Sequence, residues 1–297
     1  MDLEYSYQRY LASKKYIDDL SLNQRVLGAL SAELNVRNTE RPFKTIEIGA
    51  GVGTMIERLL EAELMPSGEY EAFDISRKNI EEAKKRIIAF AKKHDYVIEN
   101  LAPYEVFLKK GSFSMTLKLY DQDAVQIIKS QEKSESTDLV IAQAVLDLLN
   151  VEEALASIFA TLKPGGLLYS SINFDGVTYF GPTIDHEFDA FIEEQYHQTM
   201  FDSKTGRNLL SRFVDSEGEI LSVGSSDWVI YPPALGYDAD TQYFLHYIIN
   251  TVHEALIGKP KVDKQQLELW IKERHEQVNS HKLLYIAHQF DYLVKRS

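Results

Sequence analysis

Apolar and polar positions along this chain switch between two periods. From residue 43 onward, short β-rich runs are followed by longer stretches with apolar residues on one helical face. That rhythm predicts an α/β fold, a three-layer, doubly wound, mostly parallel sheet. The first run, "FKTIEI", leads through three glycines at alternate positions into "TMIERLLEAEL", with Met55, Leu59, Leu60 and Leu64 on one side. "EYEAFD" reads as the second strand. In "SRKNIEEAKKRIIAFAKKH" the apolar face is Ile80, Ala83, Ile87 and Phe90, while Glu81 with Lys85 and Glu82 with Arg86 make i,i+4 pairs; its charge run is a solvated face. "YEVFLKKGSFSMTLKLY" alternates about Gly111, a hairpin whose second arm joins the parallel set as its third strand. "DAVQIIKSQ" is a short helix, and "TDLVIAQAV" suits a strand buried on both faces. A helix through "EEALASIFATL" is closed by "KPGG" ahead of the strand "LLYSSIN".

The flanks read differently. Leu3, Tyr7, Tyr10, Leu11, Ile17 and Leu20 recur at helical spacing over residues 3–34, with a break expected near Leu20-Ser21-Leu22. After Asn173 comes an aromatic, polar segment to about Met200, then a helix through "GRNLLSRF", β-runs "EILSV" and "WVIYP", helices over 240–257 and 263–277, and a closing strand "KLLYIAHQFDYLV". The expected organisation is an N-terminal helical extension over 1–40 and one sheet domain over 41–297. Insertions at about 174–204 and 232–280 would cover the site.

Composition narrows the classes. There is no Cys, so a disulfide scaffold is excluded. With 44% hydrophobic and 26% charged residues the chain is of ordinary globular type, and no apolar run approaches the roughly 20 residues of a membrane span. The acidic, tyrosine-rich N-terminus lacks the layout of a secretory signal, so a cytoplasmic location is expected. A formal charge of −13 argues against nucleic acid as a main partner.

The glycine turn carries the first chemistry. A dinucleotide fingerprint needs a third glycine where Thr54 stands, and a triphosphate loop needs a lysine where Met55 and Ile56 stand. The spacing present is Glu47, Gly49, Gly51, Gly53. "EIGAGVG" resembles the first motif of the class I S-adenosylmethionine-dependent methyltransferases. Four further landmarks follow in that family's order: Asp74 after the second strand, Asp123 or Asp121 in "YDQDA" after the third, "DLVIAQAV" as the fourth, and "LKPGGLL" before the fifth. The resemblance implies S-adenosylmethionine as cofactor and an antiparallel last strand. It also implies a binding set of Glu47, Gly49, Ala50, Gly51, Gly53, Asp74, Asp121, Asp123, Gln143 and Ala144. Glycines let the backbone approach the ligand and aim amides at its carboxylate, Glu47 favours its ammonium, and the aspartates accept from ribose hydroxyls and the adenine amine. Asp74 and Asp123 also suit plain helix caps, and Gln143 and Ala144 backbone contacts alone.

The implied reaction is methyl transfer to an oxygen or nitrogen nucleophile of a small molecule by in-line displacement, with no metal. A general base would come from the segment after Asn173, where His186 and His197 stand first, beside Asp185 and Tyr196. Tyr179, Phe180, Tyr7, Tyr10 and Tyr16 are candidates for pocket walls, and Arg207 for an acidic group of the acceptor. Two other readings stay open. One is a nicotinamide-dependent oxidoreductase, disfavoured by Thr54. The other is a non-catalytic methyltransferase-like subunit, which Phe244, Tyr247 and Ile248 packing against a second chain would favour.

Overall fold

In the computed structural model described here, residues 5–37, 41–130, 135–215 and 218–297 are described. Leu3, included in the expected first helix, lies outside them. Five strands form the parallel centre: β1 (Phe43–Ile48), β2 (Gly68–Phe73), β5 (Phe113–Tyr120), β6 (Thr137–Gln143) and β7 (Leu162–Gly181). Two edge strands, β3 (Val97–Ala102) and β4 (Glu105–Lys110), continue the sheet antiparallel beyond β5. On the other side β10 (Leu284–Arg296) lies antiparallel between β7 and β8 (Gly218–Ser225), and also pairs with the short β9 (Trp228–Ile230). The order is β3-β4-β5-β2-β1-β6-β7-β10-β8, with the expected antiparallel last strand.

Helices cover both faces. On one face α2 (Gln24–Asn35), α3 (Thr54–Glu61) and α4 (Arg77–Lys93) bury Leu30, Leu59 and Ile87 against the sheet. On the other, α5 (Ala124–Ser130), α6 (Val151–Thr161) and α8 (Thr205–Val214) bury Ile128, Ile158 and Phe213. The first helix, α1 (Tyr7–Ser21), ends one residue before the Leu22-Asn23 joint, where Asn23 caps α2 by accepting from Arg25 and Val26.

Three elements depart from the sequence reading. β3 was not anticipated, because "VIENLA" is exposed along nearly its whole length and shows no apolar alternation. α6 stops at Thr161 with Leu162 already extended, so the glycines of "KPGG" lie within β7 and do not cap the helix. The strand also does not end at Asn173: β7 runs on to Gly181, paired with β10 through Ala287↔Thr178, Ile286↔Tyr179 and Tyr285↔Phe180. Its aromatic content disguised it as a loop.

That extension decides where the chain builds upward. Gln143, the last residue of β6, pairs with Ser171, so residues 172–181 continue past the carboxyl edge of the sheet. At about 3.3 Å per residue they project roughly 30 Å. Three helices pack on this ribbon: α7 (His186–His197), α9 (Ala239–Leu256) and α10 (Lys264–Asn279). With α1 they enclose a second core around Phe244, Ile249, Trp270 and Tyr285. Among the described residues no helix is long and apolar enough to cross a membrane.

Asp291 of β10 ties this superstructure to the sheet. Its Oδ1 accepts from the Ile172 amide at 2.7 Å and its Oδ2 from the Asn23 amide at 2.8 Å. Asp291→Ala strands both donors and is expected to lower stability by about 2–4 kcal/mol. A shifted urea midpoint at constant slope is the readout, and an unchanged midpoint refutes the assignment.

Candidate active site

β1 enters the turn fully buried, and the next three glycines adopt left-handed φ values of 71°, 54° and 80° at Gly49, Gly51 and Gly53. A Cβ on Gly49 would lie 2.7 Å from Val145 Cγ2, and one on Gly53 would lie 3.0 Å from Ile87 Cδ1. The chain therefore needs bare backbone at these positions for packing as well as for φ. Gly53 caps α3 without a side-chain bond, so no cap side chain occupies the positive helix terminus at the turn, and Glu57 in the first turn is paired with Arg86 at 2.8 Å.

Asp74 stands at the carboxyl end of β2 and holds the turn in place. Its Oδ2 accepts from the Gly51 amide at 2.9 Å, and its Oδ1 accepts from the Ser76 amide at 2.8 Å and Asn79 Nδ2 at 3.0 Å. A carboxylate offers about four acceptor sites, so one remains. Ser76, not Asp74, is the side-chain cap of α4. The next residue, Ile75, is 81% exposed, a bare apolar side chain beside the turn that sequence patterning did not mark.

Glu47 is enclosed beneath the turn, 2% exposed, with Oε2 accepting from the Tyr70 hydroxyl at 2.8 Å. Burial pushes its carboxyl up to about 7, against the opposing pull of the Tyr70 bond and the Arg58 charge. Ala50 is buried, and its amide donates to Phe73 O at 2.8 Å.

The two candidate adenine acids differ. Asp123 caps α5, with Oδ1 accepting from the Val125 and Gln126 amides at 2.9 and 3.2 Å. Asp121 follows β5 directly, is exposed, and bonds to no described residue. Gln143 is committed internally: Oε1 accepts from Arg58 Nη1 at 3.1 Å and Nε2 donates to Asp18 Oδ2 at 3.2 Å. Ala144 takes a φ of 50° and donates its amide to Ser171 O at 2.9 Å, presenting backbone rather than side chain at the strand end.

α1 lies across the site. Leu11 Cδ1 comes within 3.2 Å of a Cβ placed on Gly51, and Gln8 Nε2 donates to Asn79 Oδ1 at 2.7 Å. The Tyr7 hydroxyl is pushed up to about 12, by burial first and then by the nearby charges of Asp74 and Asp147. Tyr10 stacks on Tyr247 at 4.1 Å, whereas Tyr16 is exposed.

Asp147 is the residue that the sequence reading missed, although it stands just after the fourth strand in "AQAVLD". It sits in a short 3-10 turn, Leu146–Leu148, whose lead-in residue Val145 touches Gly49. Its Oδ1 is closed off from solvent and receives no hydrogen bond. Burial pushes its carboxyl up to about 6, partly offset by a bond from its own backbone and by Lys14.

His197 of α7 bonds through Nε2 to Thr178 Oγ1 at 2.9 Å and meets the Phe174 ring edge-on, and burial lowers its pKa. His186 is exposed at the start of α7, where Asp185 is the cap. Neither histidine bonds to a residue of the glycine turn among the described residues. His186 borders a cavity of about 180 Å³ between the projecting part of β7, α7 and α10, walled by Tyr179, Phe180, Tyr196 and Trp270. Arg274 lines it too, fully buried, donating to Asp189 Oδ1 at 2.7 Å. Arg207 is spent on Asp175, at 2.9 Å to both oxygens.

A doubly wound sheet in this order, with a bare glycine turn at the carboxyl end of β1 and an antiparallel last strand, defines a class I methyltransferase fold. Residues 46–168 match the family model described as "Methyltransferase domain", which supports the class I methyltransferase superfamily. A provisionally named methyltransferase from Bacillus halodurans C-125 aligns over 90% of this chain and 98% of its own, at 12% identity and a TM-score of 0.51. Haemonchus contortus phospholethanolamine N-methyltransferase 2, in complex with phosphomonomethylethanolamine and S-adenosylhomocysteine, aligns over 100% and 59% at 11% identity and a TM-score of 0.45. A geranyl diphosphate methyltransferase in complex with SAM aligns over 92% and 85% at 12% identity and a TM-score of 0.43. No curated protein sequence matches the chain.

The raised Glu47 carboxyl has a consequence for stability. Between pH 4.5 and about 7 the folded chain keeps a proton that the unfolded chain releases, so stability falls as pH rises through that window. Glu47→Gln removes the loss while keeping an acceptor for Tyr70. Thermal melts of the ligand-free protein should show the variant ahead by up to about 3 kcal/mol at pH 8 and level near pH 4.5. A gain that does not change with pH would refute this account.

Proposed function

We propose that this methyltransferase takes its methyl group from S-adenosylmethionine and delivers it to an oxygen or nitrogen nucleophile of a small molecule. The observation that carries the reading is the bare turn: three left-handed glycines and an uncapped helix terminus, with a carboxylate beneath and another beside them. These groups suit a ligand bearing a carboxylate, an ammonium and hydroxyls better than a pyrophosphate, which two neighbouring acids would repel. The α3 terminus and the turn amides would hold the carboxylate, Glu47 would favour the ammonium, and the remaining acceptor site of Asp74 suits a ribose hydroxyl. Asp121, with its free carboxylate, fits an adenine amine better than Asp123.

When bound, S-adenosylmethionine supplies a methyl carbon on a good leaving group. The chain's own task is then to align the nucleophile in line with it and exclude water. Leu11, within 3.2 Å of a Cβ placed on Gly51, would help shut water out from above, while Tyr7 stays 46% exposed. The small cavity behind Tyr196 supports a small-molecule acceptor. The partner-binding alternative loses its motive, since Phe244 and Ile248 are buried within the chain and Tyr247 stacks on Tyr10.

Titration calorimetry with S-adenosylmethionine, S-adenosylhomocysteine and NADH tests the cofactor. Binding of the first two but not the third is expected, and the reverse would overturn the reading. Gly49→Ala should abolish that binding, because its Cβ collides with Val145. Asp121→Ala should weaken it about tenfold, roughly 1.4 kcal/mol. Asp123→Ala should instead leave affinity alone and cost about 1 kcal/mol of stability through the lost cap.

A further inference from the structure

Among the carboxylates compared around the cleft, Asp147 stands apart. Asp74 is spent on three donors, Asp18 accepts from Gln143 and Trp228, and Asp291 accepts from two backbone amides. Asp147 Oδ1 is shut off from solvent with no donor at all. A buried acceptor left unpaired costs about 1–3 kcal/mol, and a native fold keeps such a deficit chiefly where a ligand relieves it.

We propose that Asp147 is the anionic end of the acceptor subsite, and that the methyl acceptor is a primary or secondary amine, bound as its ammonium and deprotonated by this carboxylate. The proposal rests on the methyltransferase reading above and assigns its substrate class. Four groups feel the Asp147 charge: Tyr7 and Lys14 from α1, Tyr196 from α7, and Asp202 from the segment after α7. The one cation among them, Lys14, already pairs with Asp18 at 3.2 Å, so the neighbourhood stays acidic. Its other groups are aromatic. Tyr7 stacks on Tyr10 at 5.9 Å, and the Tyr196 hydroxyl is pushed up to about 12 by burial and then by Asp147. Carboxylate plus ring faces is the environment that binds ammonium groups. Tyr196 also lines the 180 Å³ cavity, whose wall mixes aromatic rings with Asp189, Glu193 and Arg274.

Proton affinity separates the candidate nucleophiles. An alkyl ammonium loses its proton near pH 10.4, within reach of a carboxylate whose own value is raised to about 6. An aliphatic alcohol is a far weaker acid and carries no charge, so it lacks the ammonium's attraction to the carboxylate. In the step itself the N–H bond breaks and its proton goes to Asp147 Oδ1, making a carboxylic acid. The nitrogen keeps the electron pair and forms the bond to the methyl carbon while the carbon–sulfur pair leaves on sulfur. The nitrogen regains its positive charge, and the acid later releases the proton to water.

The test compares 2-phenylethylamine with 2-phenylethanol, matched in shape, by calorimetry at pH 7.5 on protein saturated with S-adenosylhomocysteine. The amine should bind at least tenfold more tightly than the alcohol. Asp147→Asn should remove that preference while leaving affinity for S-adenosylhomocysteine unchanged and, by lifting the cost of a buried charge, raising the melting temperature at pH 7.5; Asp147→Ala serves if the first variant does not accumulate. Amine affinity of the unaltered protein should also fall as pH drops through about 6, where Asp147 takes up a proton, and this dependence should vanish in the variant. Equal affinities for the two probes, binding of neither, or an unchanged preference in the variants overturns the proposal. Failure of S-adenosylhomocysteine itself to bind overturns the methyltransferase cofactor reading instead.

Discussion

The close approach of Gly49 to Val145 sets the geometry of everything above the sheet. With 2.7 Å between a Cβ at this position and Val145 Cγ2, any side chain would drive the turn after β1 away from the segment after β6. The two neighbouring strands pair in register up to Ile48 and Ala142, so their exits have little freedom to part. Bare backbone therefore lets the turn and the Asp147 segment share one small space. Asp74 borders the turn through its bond from the Gly51 amide at 2.9 Å, and Asp147 follows Val145 by two residues.

Enclosure comes from a different source. Two strands that outrun their neighbours, β7 and β10, raise an antiparallel ribbon above the carboxyl edge, and apolar burial then recruits α1, α7, α9 and α10 onto it. The chain thus builds its cover from continuous sheet, so the cavity wall at Phe180 and Tyr196 is positioned by paired backbone on one side and a packed helix on the other. Rigid framing of this sort suits a reaction that depends on alignment.

Much of this was legible in the sequence because period and glycine spacing are local signals. The parallel strands, the helices between them, the turn and Asp74 all announce themselves within a few residues. What stayed hidden depends on partners far along the chain. β7 beyond Asn173 is a strand only because β10 lies beside it, and its aromatic residues match no simple alternation. Asp147 carries no motif; its significance is an unpaired oxygen, which appears once Tyr7, Lys14 and Tyr196 have been brought around it. Conversely, Asp123 and Gln143 have the right residue types, yet their side chains already serve a helix cap and an internal bridge.

That internal bridge also fixes α1 to the end of β6. At its carboxyl-terminal end α1 is bound through Asp18, 0% exposed, which accepts from Gln143 and from Trp228 Nε1 at 3.0 Å and pairs with Lys14; Asp19 beside it pairs with Arg58. Breaking a buried charged contact of this kind costs about 3–5 kcal/mol. At the other end the Ser6 amide donates to the Tyr243 hydroxyl at 2.7 Å, Gln8 donates to Asn79 at 2.7 Å, Tyr10 stacks on Tyr247 at 4.1 Å, and Arg9 pairs with Asp240 through side chains 50% and 62% exposed. The two ends of α1 are therefore held by different means, buried charge at one and neutral hydrogen bonds with ring stacking at the other. Gln143 thus serves the fold by anchoring α1 through Asp18.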